Sequence, residues 1–214
     1  MAELRGELLL SLIGIRFWFK TTGQGTLHCH RCGGDRPYKQ CTGRRWIHIA
    51  GIPLVPLDRV VEHVQCRVCR TRYRVEVLRL PTRAAMEAAL PAGSLAAVTA
   101  MLRAGDPSSA PARSRAVDML RAAGLPSYDD AALTADLAAA DDRHLAPPVR
   151  TLARQLVVPA HEWLLADLVR VGLADGQLSE AERDAARLIA THLGMTSAQA
   201  HEVIWLTEEA ASAG

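Results

Sequence analysis

The sequence predicts an α+β protein in two modules: a small β-rich zinc ribbon over residues 1–82, then an all-α bundle over residues 83–214. Three observations predict it. Two C-x-x-C pairs, Cys29/Cys32 and Cys66/Cys69, lie in the front module, and all five cysteines of the chain are confined there. Charge divides at the same seam, with 14 Arg and Lys against 6 Asp and Glu before it and 11 against 17 after it. Periodicity changes there too. Past Leu80-Pro81-Thr82 an Ala-rich spacing of three to four replaces alternation among β-branched and aromatic residues.

The 214 residues are 49% hydrophobic and 22% charged, which suits a globular chain and excludes pervasive disorder and collagen-like structure. Aromatic residues make up only 4%, so the core must be built from Leu, Val, Ile and Ala. Ile13–Lys20 reads as a strand, as do Arg45–Ile49 and Arg72–Leu78. Trp46–Ala50 and Tyr73–Val77 alternate, so one face of each is expected buried and the other wet. Gly51, Pro53 and Pro56 divide the middle segment into a strand, a turn and a second extended piece. The run Leu8–Phe19 is apolar but contains Arg16 and is followed by no small-residue cleavage site. It is shorter than the roughly 20 residues a bilayer span needs, so no transmembrane segment is expected. Its alternation over Ile13–Phe19 favours a strand covering the ribbon. A segment resting on a membrane surface through Phe17, Trp18, Arg16 and Lys20 is the other placement.

In the rear module the spacing predicts helices over 83–90, 94–104, 111–123, 128–140, 148–156, 160–174, 180–193 and 197–210. Ser127–Asp130, Ser179–Glu182 and Thr196–Gln199 have the form of capping boxes, whose hydroxyl accepts from a first-turn amide while the fourth residue reaches back. Gly124, Gly176 and Gly194 stand where helices should stop. Ala97–Gly124 and Asp167–Gly194 share an order of features: an apolar helix, an Asp in a loop (Asp106, Asp175) and a helix ending in Gly. Two such copies would pack as paired helical hairpins around one core.

Each C-x-x-C pair can place two thiolates on one tight turn. Two turns then give the four tetrahedral sulfurs that zinc prefers, from Cys29, Cys32, Cys66 and Cys69. Gly33 and Gly34 follow the first pair, as a sharp knuckle requires. A redox C-x-x-C would need βαβ surroundings, which are absent. Four sulfurs leave no open coordination position, so the zinc is expected to be structural, and Cys41, His28 and His30 are bystanders. Unpaired thiols and the lack of a leader predict a cytoplasmic protein. Basic residues crowd this module. Arg44, Arg45, Arg70 and Arg72, with Trp18, Tyr38, Trp46 and Tyr73 nearby in sequence, are candidates for nucleic-acid or anion contacts.

In the rear module, Asp175-Gly176 ends one helix and Ser179 caps the next. Glu180, Glu182 and Asp184 then suit the positive end of its dipole. Alternatively, Asp175 and Glu182 converge on a hard divalent cation, completed by Glu162, Asp167 or Asp142. Leu173–Arg183, followed by Ala186–Met195, resembles the TerB tellurite-resistance family and the TerB-like domain of DjlA-type co-chaperones, clearly over 160–206 and faintly over 83–159. The front module resembles zinc-ribbon segments found ahead of such domains in actinobacterial proteins. Ile13–Phe19, the two knuckles and Trp46–Pro56 carry that likeness. The resemblance implies an all-helical fold with two related halves and a link to tellurite and chemical stress. It also implies a divalent metal at acidic turn residues, here Asp175 and Glu182. The first half, residues 94–124, departs from the pattern. Arg113 stands seven residues after Asp106, Pro107 replaces the Gly and Pro111 interrupts the turn, so this half is expected to serve packing.

G-x-S-x-G, a Walker loop, H-E-x-x-H and a dinucleotide fingerprint are absent, and His144, His161, His192 and His201 are scattered on Ala-rich helices. The expectation is therefore a non-enzymatic interaction protein whose partner is another protein. Nucleic-acid binding through the ribbon and a metal-dependent enzyme at the acidic turn are the alternatives.

Overall fold

The computed structural model describes residues 13–49, 52–141 and 145–213. Residues 8–12 of the Leu8–Phe19 run, Gly51, Asp142 and His144 lie outside the described residues. The chain divides into two compact units, residues 1–82 and 83–214.

The first unit is an antiparallel sheet in simple meander order, β1 (Ile13–Cys29), β2 (Gly34–Ile49), β3 (Ile52–Cys66) and β4 (Arg72–Arg74). The first three strands run much longer than the alternation predicts. Gly23 and Gly25 do not end β1, because a bulge at Thr21/Gly23 absorbs the irregularity and pairing resumes down to Cys29↔Gly34. Register shifts at Arg44/Trp46 and Ile47/His48 accommodate Pro56 and Pro53 on β3, and a further shift lies at Cys41/Gly43. The expected strand Arg72–Leu78 is corrected. Only Arg72–Arg74 pairs, against His63–Gln65, and Val75–Arg79 turns into a 3-10 helix. That turn lets Val75, Val77 and Leu78 pack on a small core of Leu27, Cys29, Val64 and Cys66.

The second unit holds seven helices among the described residues: α1 (Arg83–Ala104), α2 (Ala110–Ala122), α3 (Asp130–Ala139), α4 (Ala146–Ala153), α5 (Val158–Gly172), α6 (Glu180–His192) and α7 (Ser197–Ser212). The two helices expected over 83–90 and 94–104 are one. Pro91 lies inside α1, which continues because its second half, from Gly93 to Leu102, is the buried axis of the bundle. Gly93 is needed there, since a Cβ at that position would lie 2.6 Å from Leu152 Cβ. Ala97, Val98 and Met101 of α1 meet Leu120, Val149, Leu165, Leu168 and Ile189 in one core. The stretch Val75–Ala104 is long and apolar enough to cross a membrane by length and composition, and 44% of its apolar window is buried.

Capping boxes form at Ser179/Glu182 and Thr196/Gln199. The box expected at Ser127 does not. Asp129 caps α3 instead, accepting from the Ala132 N–H at 2.8 Å, because its carboxylate stands three residues before that amide. Gly124, Gly176 and Gly194 all adopt positive φ at helix ends. The repeat is visible in the backbone. Ser109 and Ser179 cap α2 and α6, Arg113 N–H bonds Ser109 O and Arg183 N–H bonds Ser179 O, and Leu125 and Met195 N–H close onto Leu120 O and Ala190 O. Aligned by these caps, the counterpart of Glu182 is Ala112 and that of Arg183 is Arg113. The first loop is one residue shorter between its Asp and its Ser, so counting from the Asp misplaces the pairing.

Candidate metal centre

The four cysteines come from two hairpin ends. Cys29 ends β1 and Cys32 lies in the turn to β2, while Cys66 ends β3 and Cys69 lies in the turn to β4. The two turns are alike. Cys29 O accepts from Cys32 and Gly33 N–H at 3.1 and 2.9 Å, and Cys66 O accepts from Arg70 N–H at 3.0 Å. Gly33 and Arg70 both turn left-handed, at φ 66° and 61°. β2 and β3 pair at Tyr38↔Cys66, and Arg67 N–H donates to Pro37 O, which holds the second turn beside the first hairpin.

The four sulfurs lie within 4.8 Å of one another, with Cys29 Sγ and Cys69 Sγ 3.6 Å apart. This is the only group of three or more such side chains among the described residues able to hold a metal ion. Cys29 and Cys66 are buried, and Cys32 and Cys69 half-buried. Two hydroxyls serve the cluster. Tyr73 Oη lies 3.0 Å from Cys29 Sγ and Thr71 Oγ1 3.2 Å from Cys69 Sγ. Burial pushes the Cys29 thiol up, but the Tyr73 phenol and the Cys32 backbone outweigh it and hold it below the ordinary thiol value. The Thr71 hydroxyl and N–H bring Cys69 down to about 6. Cys32 is pushed up to about 12, by burial first and by its neighbouring cysteines next. Four thiols this close cannot all ionise unaided, and a bound cation is what would let every sulfur carry its charge.

Sequence reasoning placed all four sulfurs. It missed Tyr73 and Thr71 as their partners, although Cys-x-Thr-x-Tyr over 69–73 was there to read. His28 pairs with Asp35 at 3.3 Å, and its ring lies edge-on to His30. Cys41 is buried on β2, opposite Thr21 and His63 in the register.

The four candidate arginines do not share one surface. Arg44 and Arg45 are adjacent on a strand and point to opposite faces, and Arg45 pairs with Asp58 at 3.0 Å. Arg72 stacks over the Phe19 ring, 6.0 Å from its centroid, while Arg70 occupies the left-handed position of the second turn. The acidic turn forms a cap. Glu182 is buried and accepts from Ser179 N–H and Oγ at 2.7 and 2.8 Å, with Gly105 and Gly172 packed against its other oxygen. Asp175 is exposed in the short turn Leu173–Asp175, and Asp167 pairs with Arg170. Asp175 and Glu182 join no three-ligand group among the described residues.

Compared with protein-family models, with curated proteins and with solved structures, the chain matches none.

Proposed function

We propose that the chain is a non-enzymatic interaction protein: a zinc ribbon joined to a TerB-like helical domain, acting in the cytoplasm on a partner protein in a metal- or tellurite-stress response. The observation that carries the metal half is the convergence of four sulfurs within 4.8 Å. The soft donors, and a 3.6 Å sulfur separation near the roughly 3.8 Å edge of a tetrahedron with 2.3 Å bonds, favour zinc. Such a site is closed, so the metal holds the fold and does no chemistry on a substrate. Its weight follows from magnitudes. Among the described residues, the fully buried aliphatic side chains of this unit are Leu27 and Val64, worth about 2 kcal/mol each. A structural zinc contributes on the order of 10 kcal/mol. In the helical half, support for the TerB reading is the pair of hairpins with matched caps and the Ala-Asp-Gly turn before Ser179.

Elemental analysis of the untagged full chain, dialysed against magnesium, calcium and manganese, tests the reading. One zinc per chain, lost in Cys66→Ser, is expected, and no zinc overturns it. A second stoichiometric metal that disappears in Asp175→Ala would reassign the acidic turn from cap to metal site. The interaction role predicts a partner captured by the full chain and lost when one unit is altered.

A further inference from the structure

The end of the sheet remote from the four cysteines exposes apolar side chains that no described element of its own unit covers. Ile15, Phe17 and Phe19 alternate along β1 and are 59, 53 and 47% exposed. The register sets Ile15 beside Ile47 and Ile47 beside Val55, with Ile49 beside Ile52 at the strand ends. Ile49, Ile52, Leu54 and Val55 are 42 to 62% exposed as well. Apolar residues from β1 and from the β2–β3 hairpin, distant from it in sequence, therefore form one surface, of the kind that marks an interaction site. The described residues at this end, Ile13–Ile15, Ile47–Ile49 and Ile52–Val55, include no Asp, Glu, Lys or Arg.

Charge begins at the next level. Arg16 stands opposite Trp46, Trp18 opposite Arg44 and Lys20 opposite Thr42 on the other face of the sheet. Trp18 and Trp46 are half-buried, and the Trp18 ring lies edge-on to His48. Arg16, Lys20 and Arg44 make no ion pair among the described residues, and Arg45, paired with the exposed Asp58, follows on the apolar face. At about 3.3 Å per strand residue, Arg45 lies roughly 13 Å along the strand from Ile49. An uncharged end followed by a girdle of Trp and Arg is the order of groups met on leaving a bilayer's acyl region for its headgroups. Interfacial segments sink about 5–10 Å, which reaches the apolar end and stops at the girdle.

We propose that this end of the sheet docks on an anionic lipid surface, with Ile15, Ile49, Ile52, Leu54 and Val55 entering the acyl boundary and Arg16, Lys20 and Arg44 meeting lipid phosphates. Charge complementarity selects this occupant. The unit carries 14 Arg and Lys against 6 Asp and Glu, so a second copy would bring like charges together, whereas an anionic leaflet attracts them. At the tip itself Ile15, Ile49, Ile52, Leu54 and Val55 are aliphatic and offer nucleic-acid bases no stacking partner, and of the two rings farther back Phe19 is already engaged by Arg72 and His63, which sets that ligand aside.

Vesicle flotation of the metal-loaded full chain tests the proposal, using phosphatidylcholine with and without phosphatidylglycerol. Binding to the anionic vesicles that weakens with salt is expected. Ile52→Asp and Leu54→Asp should each weaken it at least about tenfold, since each carries charge into the acyl boundary. Both side chains already face solvent, so circular dichroism and zinc content should not change. Arg44→Ala should cost about fivefold, the worth of one basic residue at an anionic surface. No binding to the anionic vesicles, equal binding to neutral ones, or binding indifferent to Ile52→Asp overturns the proposal. So does a dimer or an oligonucleotide complex that forms through this end in place of lipid binding. Zinc content is read separately, so failure of the metal reading and failure of this one are distinguishable.

Discussion

Arg113 on α2 and Arg183 on α6 occupy the same place in the two helical hairpins, four residues after the capping Ser109 and Ser179, and each clamps the helix that follows. Arg113 Nε donates to Asp130 Oδ1 at 2.7 Å and its Nη2 reaches Asp130 O and Thr134 Oγ1. Arg183 Nη2 donates to Glu208 Oε1 at 2.8 Å. The repeat has thus kept a bridging arginine while its acidic partner changed both type and spacing.

Loss of a bridge between helices should cost more than loss of one within a helix. Arg187, whose partners Glu180 and Asp184 lie on its own α6, is the control. Arg113→Ala and Arg183→Ala are expected to lower the melting temperature of the helical unit more than Arg187→Ala. Acid should act in the same direction at the first bridge. The Arg113 hydrogen bond holds Asp130 below its ordinary carboxylate value, so its contribution is present above that value and is lost as pH falls through the lowered one. An Arg113→Ala protein whose acid unfolding matches the wild type would contradict this.

Gly93 is where α1 passes closest to α4, and the space is already filled by Leu152. Gly93→Ala should destabilise the helical unit by about 1–3 kcal/mol through overpacking, despite alanine's better helix propensity. Denaturant titration followed by helical ellipticity measures it. A neutral or stabilising result would mean the helices separate at little cost.

Sequence legibility followed the range of the forces involved. The four cysteines were legible because a cluster able to hold a metal is written in local spacing, and the caps at Ser179 and Thr196 because each closes within one turn. Pro91 was misread because its local tendency to break a helix was overruled by burial of Gly93–Leu102, which only the assembled bundle supplies. The lengths of β1 and β3 were missed for a related reason, since cross-strand pairing carries a chain through Gly23, Gly25, Pro53 and Pro56. The apolar end of the sheet was legible only in its first strand, because Ile49, Ile52 and Val55 join it through register.

Gly33 and Arg70 are left-handed equivalents in the two cysteine-bearing turns, at φ 66° and 61°, but only one is glycine. A side chain in that conformation costs about 1 kcal/mol. Arg70→Gly should therefore stabilise the metal-loaded sheet by up to about 1 kcal/mol, offset in part by the freer unfolded chain. Gly33→Val should weaken metal retention. Thermal unfolding of the sheet and competition with a metal indicator read the two effects.

The Tyr73 phenol is pushed up to about 12, by its hydrogen bond to Cys29 first and by burial next, so it stays protonated and donates across the working pH range. Cys29 and Cys69 are both held below the ordinary thiol value of 9.0, Cys69 at about 6. Their thiolate contribution is therefore complete above 9 and is lost as pH falls toward 6. With zinc bound as proposed, protons would compete for the same sulfurs, so the zinc should leave as pH is lowered through and below that window. Tyr73→Phe removes the donor, raises the Cys29 thiol and should shift the midpoint of zinc release to higher pH. It should also speed chelator-driven release by roughly 10-fold or more, as second-shell losses do. Thr71→Ala should act on Cys69 in the same direction, and an unchanged release midpoint in both variants would exclude the two hydroxyls from control of the metal.

Removing the metal altogether should separate the two units energetically. The core around the cysteines contains Leu27 and Val64 with only partly buried neighbours, whereas the helical unit buries a continuous core from Ala97 to Ile204. A chelator added to the full chain is therefore expected to abolish the sheet's signal and expose Trp18 and Trp46, while the ellipticity of the seven helices persists. Zinc should restore the sheet, because its free energy of binding is the free energy that folds it. Loss of helical signal in step with the sheet would show that the helical unit also depends on the metal. Survival of the sheet without metal would show that its long strands hold themselves together by pairing alone.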